Sequence, residues 1–207
     1  MSTAAGFHDL SPTTLADILG RDQVMDIGIR PLWTAVRHVA GPAFTVRCAP
    51  GDNLMLHAAI YRAEPGSVLV VESGDVDYAL AGDNVCAIAQ RRGIAALVTD
   101  GAIRDLAQLR EAGFPVFARG VIPVPGAKLA VSLLNGRVRC GGVSVDAGDI
   151  VVADEEGIVV VPSARSEQVQ LDARARQEQE ERESLDVWEE RHHALVDKLL
   201  SEKGMTF

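Results

Sequence analysis

The chain has 207 residues, 47% of them hydrophobic, and a net charge of −9. That length buries one substantial core with some chain to spare, and the acidic balance argues against a nucleic-acid surface, which needs clustered positive charge. Residues 1–10 show neither the basic nor the apolar region of a signal peptide, and apolar runs such as Ile158–Val161 are too short to span a membrane. A cytoplasmic location, with no nucleic acid or membrane as partner, is the expectation. The three cysteines, Cys48, Cys86 and Cys140, are widely spaced and odd in number. They fit reduced thiols better than a disulfide framework or a Cys-rich metal site.

In chain order, residues 11–19 read as a helix, with Ser11 as its cap and Pro12 at its first position. Residues 43–48 alternate as a strand does. Gly51-Asp52-Asn53 turns into a helix over residues 54–63, ended by Glu64-Pro65-Gly66. Residues 67–71 are continuously apolar, the mark of a strand buried on both faces. Residues 84–92 form a helix closed by Gly93, residues 94–99 a second buried strand, and residues 103–111 a helix stopped by Gly113 and Pro115. Residues 115–118 give a short strand. Strands alternating with helices indicate a parallel sheet with crossovers. Four short strands then follow, around Val138–Cys140, Val143–Val145, Ile150–Ala153 and Ile158–Val161, joined by Gly-rich turns.

After Pro162 the composition changes. Residues 163–200 are dense in Glu, Gln and Arg, contain no Gly or Pro, and hold few apolar residues before Leu195, Val196, Leu199 and Leu200. Good helix formers with so little apolar surface cannot build a core of their own. The segment is either a solvated helix on its own domain or an arm reaching a neighbouring subunit.

The chemistry concentrates in Ala81-Gly82-Asp83-Asn84 and Val98-Thr99-Asp100-Gly101-Ala102-Ile103-Arg104-Asp105. Loops at the carboxyl ends of parallel strands are where α/β folds bind ligands. Carboxylates there suit a hard divalent cation, and an arginine suits a substrate carboxylate. Each residue also has a plainer reading. Asp83 can be a helix cap, and Asp100 can belong to a turn. Arg104 gains nothing from the dipole of a helix start, so it either pairs with a carboxylate or binds an anion. The lysines are Lys128, Lys198 and Lys203, which leaves little for a Schiff base. The histidines lack metal-ligand spacing, and no phosphate-loop or dinucleotide fingerprint is present. Oxygen ligands remain, and with them Mg²⁺ or Mn²⁺.

Gly28-Ile29-Arg30-Pro31-Leu32-Trp33, Gly41-Pro42-Ala43-Phe44-Thr45-Val46, Gly51-Asp52-Asn53, Asp100-Gly101-Ala102-Ile103-Arg104-Asp105, Pro115-Val116-Phe117-Ala118-Arg119-Gly120 and the stretch from Gly141-Gly142-Val143 to Asp154-Glu155-Glu156-Gly157 together resemble one family. It comprises the 4-hydroxy-4-methyl-2-oxoglutarate/4-carboxy-4-hydroxy-2-oxoadipate aldolases and the regulator of ribonuclease activity A. The resemblance implies an α/β/α sandwich with a swivelling-domain-like (phosphohistidine-domain-like) core over residues 1–162 and a helical arm over residues 163–207. It also implies homotrimers or homohexamers with a site at the subunit interface.

By the same resemblance, Arg104 and Asp83 are catalytic, and Gly82, Asp83, Asn84, Val85 and Arg104 contact the substrate. Asp105 binds Mg²⁺ or Mn²⁺ directly. Asp83, and Glu180 from a neighbouring subunit, hold it through water. The implied activity is metal-dependent cleavage of a 4-hydroxy-2-oxo acid to pyruvate and a second oxo-acid, with oxaloacetate decarboxylation on the side. The alternatives are a non-catalytic regulator of a ribonuclease, or a lyase acting on another oxo-acid. The long tail with its glutamates favours the enzyme.

Overall fold

In the computed structural model, which describes residues 3–205, the buried apolar runs of the sequence line up as the centre of a seven-stranded sheet. Its strands are β1 (Arg30–Pro31), β2 (Val39–Arg47) and β3 (Val68–Glu72), followed beyond the three residues of β4 (Ala79–Ala81) by β5 (Ala96–Thr99). Past β6 (Ala102–Ile103) come β7 (Val116–Ala118), β8 (Gly120–Val121) and the hairpin of β9 (Val138–Cys140) with β10 (Val143–Val145). The last two strands are β11 (Ile150–Ala153) and β12 (Ile158–Val161).

The large sheet has the order β1-β7-β5-β3-β2-β11-β12. Strands β7, β5, β3 and β2 are parallel, as the alternation of strand and helix predicts. β1 closes one edge antiparallel, and β11 and β12 continue the other antiparallel. A second, three-stranded parallel sheet runs β4-β6-β8. Its strands of two or three residues carry no periodic signal of their own, and the sequence does not announce them.

Helices α1 (Pro12–Leu19), α2 (Leu54–Ala59), α3 (Asp83–Arg91) and α4 (Leu106–Ala112) precede two tail helices, α5 (Ser166–Arg182) and α6 (Leu185–Glu202). Side chains alternate across a strand, and here the alternation separates two cores. Leu69, Val71, Leu97 and Val116 pack with Leu56, Cys86 and Leu109 of the helices. Val68, Val70, Val98 and Phe117 face Val138, Cys140, Val143 and Val145 of the hairpin. The mixed α/β class therefore holds, but over the parallel strands the second layer of the expected sandwich is the hairpin rather than more helices. A third core joins β11 and β12 to Leu15 of α1 and to Val169 and Ala173 of α5.

Three expected elements change. The helix over residues 54–63 ends at Ala59, and the chain tightens into turns before Pro65. The helix over residues 103–111 starts at Leu106, because Ala102 and Ile103 pair with β4 and β8 and Asp105 turns left-handed. The tail is interrupted at Glu183, whose backbone is extended, and Ser184 caps the next helix by accepting the Val187 N–H (3.3 Å). α5 lies on its own chain through Val169 and Ala173 and through ion pairs of Arg174 with Asp9 and Arg176 with Asp17. α6 has no buried residue. Cys48, Cys86 and Cys140 are buried and unpaired, as expected for reduced thiols. Among the described residues no helix is long and apolar enough to cross a membrane.

Candidate active site

The small sheet builds the site. β4 leads straight into α3 through Gly82, and β6 leads into α4 through Arg104 and Asp105. Parallel pairing of β4 with β6 lays those two junctions side by side, and the Arg104 N–H donates to the Ala81 carbonyl (2.9 Å).

Asp105 caps α4 in the left-handed conformation, at φ 61°. For a residue with a side chain this costs on the order of 1 kcal/mol, least for Asp and Asn. The turn swings the carboxylate towards α3. There Asp105 Oδ2 accepts the Asp83 N–H (3.2 Å) and lies 3.4 Å from Arg104 Nε. Arg104 therefore has the carboxylate partner of its plainer reading, and that partner is Asp105. No hydrogen bond among the described residues uses Asp105 Oδ1, which leaves it open to a ligand. Both side chains are partly exposed, 41% for Arg104 and 32% for Asp105, so they remain accessible to substrate.

Gly82 is the cap of α3 and Asp83 its first residue. The reading of Asp83 as the cap is corrected by one position. The Asp83 carboxylate instead accepts the Asn84 N–H (2.7 Å). A Cβ on Gly82 would collide with Asp105 Oδ2 and come within 3.0 Å of Arg104 Cγ. The glycine is needed for close approach, not for its backbone freedom. Asn84 is exposed, and Val85 is half-buried against the helical core. Beneath them, burial and then the charges of Asp83 and Asp105 push the Cys86 thiol up to about 12, so both carboxylates bear on one spot.

The other predicted residues fall elsewhere. Asp100 lies in the bend after β5, but its Oδ1 accepts the Ser73 N–H (2.8 Å) and so ties the end of β3 rather than its own turn, and burial raises its pKa above the usual carboxylate value. Glu180 is exposed on α5 and paired with Arg176 (2.9 Å), which also binds Asp17 of the same chain. Within one chain nothing carries it to Arg104 and Asp105. Among the described residues no three His, Cys, Asp or Glu side chains converge as a metal cage. Asp83 and Asp105 supply hard oxygen donors of the kind Mg²⁺ and Mn²⁺ take. They fit such an ion as part of a ligand set.

Sequence reasoning assigned no role to Asn53. It is buried, and its amide donates to the Leu80 carbonyl (3.1 Å) on the strand that leads to Gly82. Its Oδ1 is buried without a partner. Neighbouring Asp52 accepts N–H groups of Leu54, Leu129 and Ala130. The visible signal was Gly51-Asp52-Asn53, but the partners lie far along the chain.

The family model for RraA-like proteins, Aldolase/RraA, matches residues 10–160. A protein of Halalkalibacterium halodurans named "putative 4-hydroxy-4-methyl-2-oxoglutarate aldolase" is 38% identical over 176 residues, covering 84% of this chain and 83% of that one. An uncharacterized protein of Pseudomonas syringae pv. tomato has a similar structure, with TM-score 0.78, 30% identity, and coverage of 87% of this chain and 85% of its own. So does Streptomyces coelicolor RraAS2, described as an unusual member of the RNase ES inhibitor RraA family (TM-score 0.77, 30% identity, 86% of this chain and 94% of that one).

Proposed function

The chain belongs to the RraA-like Aldolase/RraA family, and from that premise we propose that it is a divalent-metal-dependent lyase that cleaves a 4-hydroxy-2-oxo acid, such as 4-hydroxy-4-methyl-2-oxoglutarate, to pyruvate and a second oxo-acid. The observation that carries this reading is the contact of Gly82 and Asp83 with Arg104 and Asp105 across two adjacent strand-to-helix junctions. The swivelling-domain-like core and the trimeric or hexameric assembly are part of the same reading.

Asp105 would hold Mg²⁺ or Mn²⁺, supported by Asp83 and by Glu180 of the partner subunit. Such an ion supplies Lewis-acid stabilisation of negative charge at the reacting carbonyl. Arg104 hydrogen-bonds the substrate's oxygen and balances the charge that builds on it. The Asn84 N–H is taken by Asp83, and the Val85 N–H in the first turn of α3 favours an anionic carboxylate at that helix start. Among the described residues the site holds no lysine or histidine, so the 4-hydroxyl proton would leave to water held by Asp83. The C3–C4 bond then breaks, its electron pair forms the enolate of pyruvate, and protonation at C3 releases pyruvate. Oxaloacetate passes through the same enolate on losing CO₂, so its decarboxylation accompanies the aldol cleavage.

The test is pyruvate release from 4-hydroxy-4-methyl-2-oxoglutarate and from oxaloacetate, with Mg²⁺ and with EDTA. Metal-dependent release from both is expected. An Asp105→Ala protein that kept full metal-dependent turnover would sink the assignment. Turnover of oxaloacetate alone would move the function to another oxo-acid. The likeness to Streptomyces RraAS2 favours a second reading, a non-catalytic regulator of a ribonuclease. Absence of turnover together with tight binding to a ribonuclease would select it.

A further inference from the structure

A second concavity lies at the carboxyl ends of β3, β5 and β7, where Glu72 and Ser73, Asp100, and Arg119 follow the parallel strands. None of Gly82, Asp83, Arg104 and Asp105 lines it. It consists of two hollows of about 790 and 470 Å³ that share Arg119, Arg139, Gly141 and Gly142 in their walls. Parallel sheets place ligands in the crevice outside these strand ends.

Two of the five carboxylates that line the groove are ion-paired. Glu72 pairs with Arg47 (3.0 Å) and also accepts the Arg139 main-chain N–H (2.9 Å). Asp100 is held by Ser73, and Asp75 accepts the N–H groups of Gly51 and Asp77. Asp26 takes one N–H of Arg119 (2.8 Å). A guanidinium has five donors, so Arg119 keeps others to offer. The Arg139 guanidinium has no carboxylate partner among the described residues, and its side chain is exposed. Among the described residues Asp22, Asp75 and Asp100 line the groove without a cationic partner.

The wall between the arginines is bare main chain. Gly141 and Gly142 both have positive φ, at 56° and 82°. Gly141 accepts the Asp26 N–H (2.8 Å) and packs tightly on Met25, while a Cβ on Gly142 would meet nothing within 4 Å.

We propose that this groove is a second ligand site, which takes a small dicarboxylate with one carboxylate on the Arg139 guanidinium and the other on Arg119. The planar fork of arginine matches a carboxylate with two parallel hydrogen bonds. Each hollow by itself lies within the usual range of small-molecule sites, about 300–1,000 Å³. The proposal does not depend on the aldolase reading.

The experiment is calorimetric titration of the metal-free full chain with malonate, at ionic strength held constant with chloride. Arg139→Ala should weaken malonate at least tenfold, with Arg139→Gln as a second variant and circular dichroism confirming the fold of both. Arg104→Ala should leave the affinity unchanged. Asp26→Asn, which releases Arg119, should tighten it several-fold. Pyruvate release by Arg139→Ala should equal that of the unaltered protein. No binding to the unaltered protein overturns the proposal, as does full affinity in Arg139→Ala. Binding lost in Arg104→Ala but kept in Arg139→Ala overturns it too, by placing the anion at the first site.

Discussion

The main-chain N–H of Asp83 donates to the side chain of Asp105 (3.2 Å), so the first residue of α3 is tied to the residue that starts α4. Two helices from separate crossovers are thus registered through one carboxylate oxygen, while the other oxygen of that carboxylate stays available.

Gly82→Ala tests that registration. The added methyl would overlap Asp105 Oδ2, and overpacking of this kind costs about 1–3 kcal/mol. Displacement of Asp105 and Arg104 by about 1 Å should lower kcat by about 100-fold. Steady-state pyruvate release and a thermal melt check both, and a variant with unchanged kcat would contradict the geometry.

Asp105→Gly and Asp105→Ala separate backbone from chemistry. Both remove the carboxylate, and both should abolish metal-dependent turnover. Glycine adopts the left-handed turn at φ 61° without penalty, so Asp105→Gly should be the more stable of the two by about 1 kcal/mol. Chemical denaturation of the pair measures it, and equal or reversed stability would refute strain at this residue.

Asp100→Asn should stabilise the protein at neutral pH. Burial is the first cause of the raised pKa of Asp100, so the folded state prefers the protonated carboxyl. That preference is fully expressed below the unfolded value near 3.8 and is lost as pH rises through the folded value. The asparagine keeps an acceptor for the Ser73 N–H and carries no charge. Its melting temperature should exceed that of the unaltered protein by a margin that widens as pH rises above 3.8. A margin that narrows would show that the charged form is the favoured one.

Removing residues 185–207 should leave the core folded, because α6 buries none of its residues. A cut before α5 uncovers the third core, where Val169 and Ala173 are buried, and each apolar side chain of valine size contributes about 1.5–3 kcal/mol. The shorter truncation should melt within a few degrees of the full chain and the longer one well below it. If the tail reaches a neighbour, as the proposed assembly has it, the shorter truncation also lowers the mass seen in light scattering.

What the sequence discloses follows from how local each signal is. Val68–Glu72 and Ala96–Thr99 are readable because burial on both faces demands an unbroken apolar run. The start of α1 is readable because Ser11 and Pro12 act within one turn. β4, β6 and β8 are not, since their pairing is set by partners 18 or more residues away. The same pairing takes Ile103 out of the expected helix. The break at Glu183 has good helix formers on both sides, and Ser184 was its one local sign. At the site, Gly82, Asp83, Arg104 and Asp105 could be named from the motif and from their strand-to-helix position. The left-handed turn of Asp105 and the buried bond from Asn53 to Leu80 depend on the folded surroundings.

β2 holds the large sheet together, pairing parallel with β3 on one edge and antiparallel with β11 on the other. During synthesis its first partner follows soon, but its second lies at Ile150–Ala153. Made at about 5–20 residues per second, the growing chain leaves the edge of β2 at Val39–Pro42 open for roughly 5–20 s before β11 can be added. Unpaired edges of this kind recruit other chains. A nascent chain halted before residue 150 should therefore be cut readily by protease and held by chaperones, and one released after β12 should be neither; equal resistance in the two would show that β2 is covered by something other than β11.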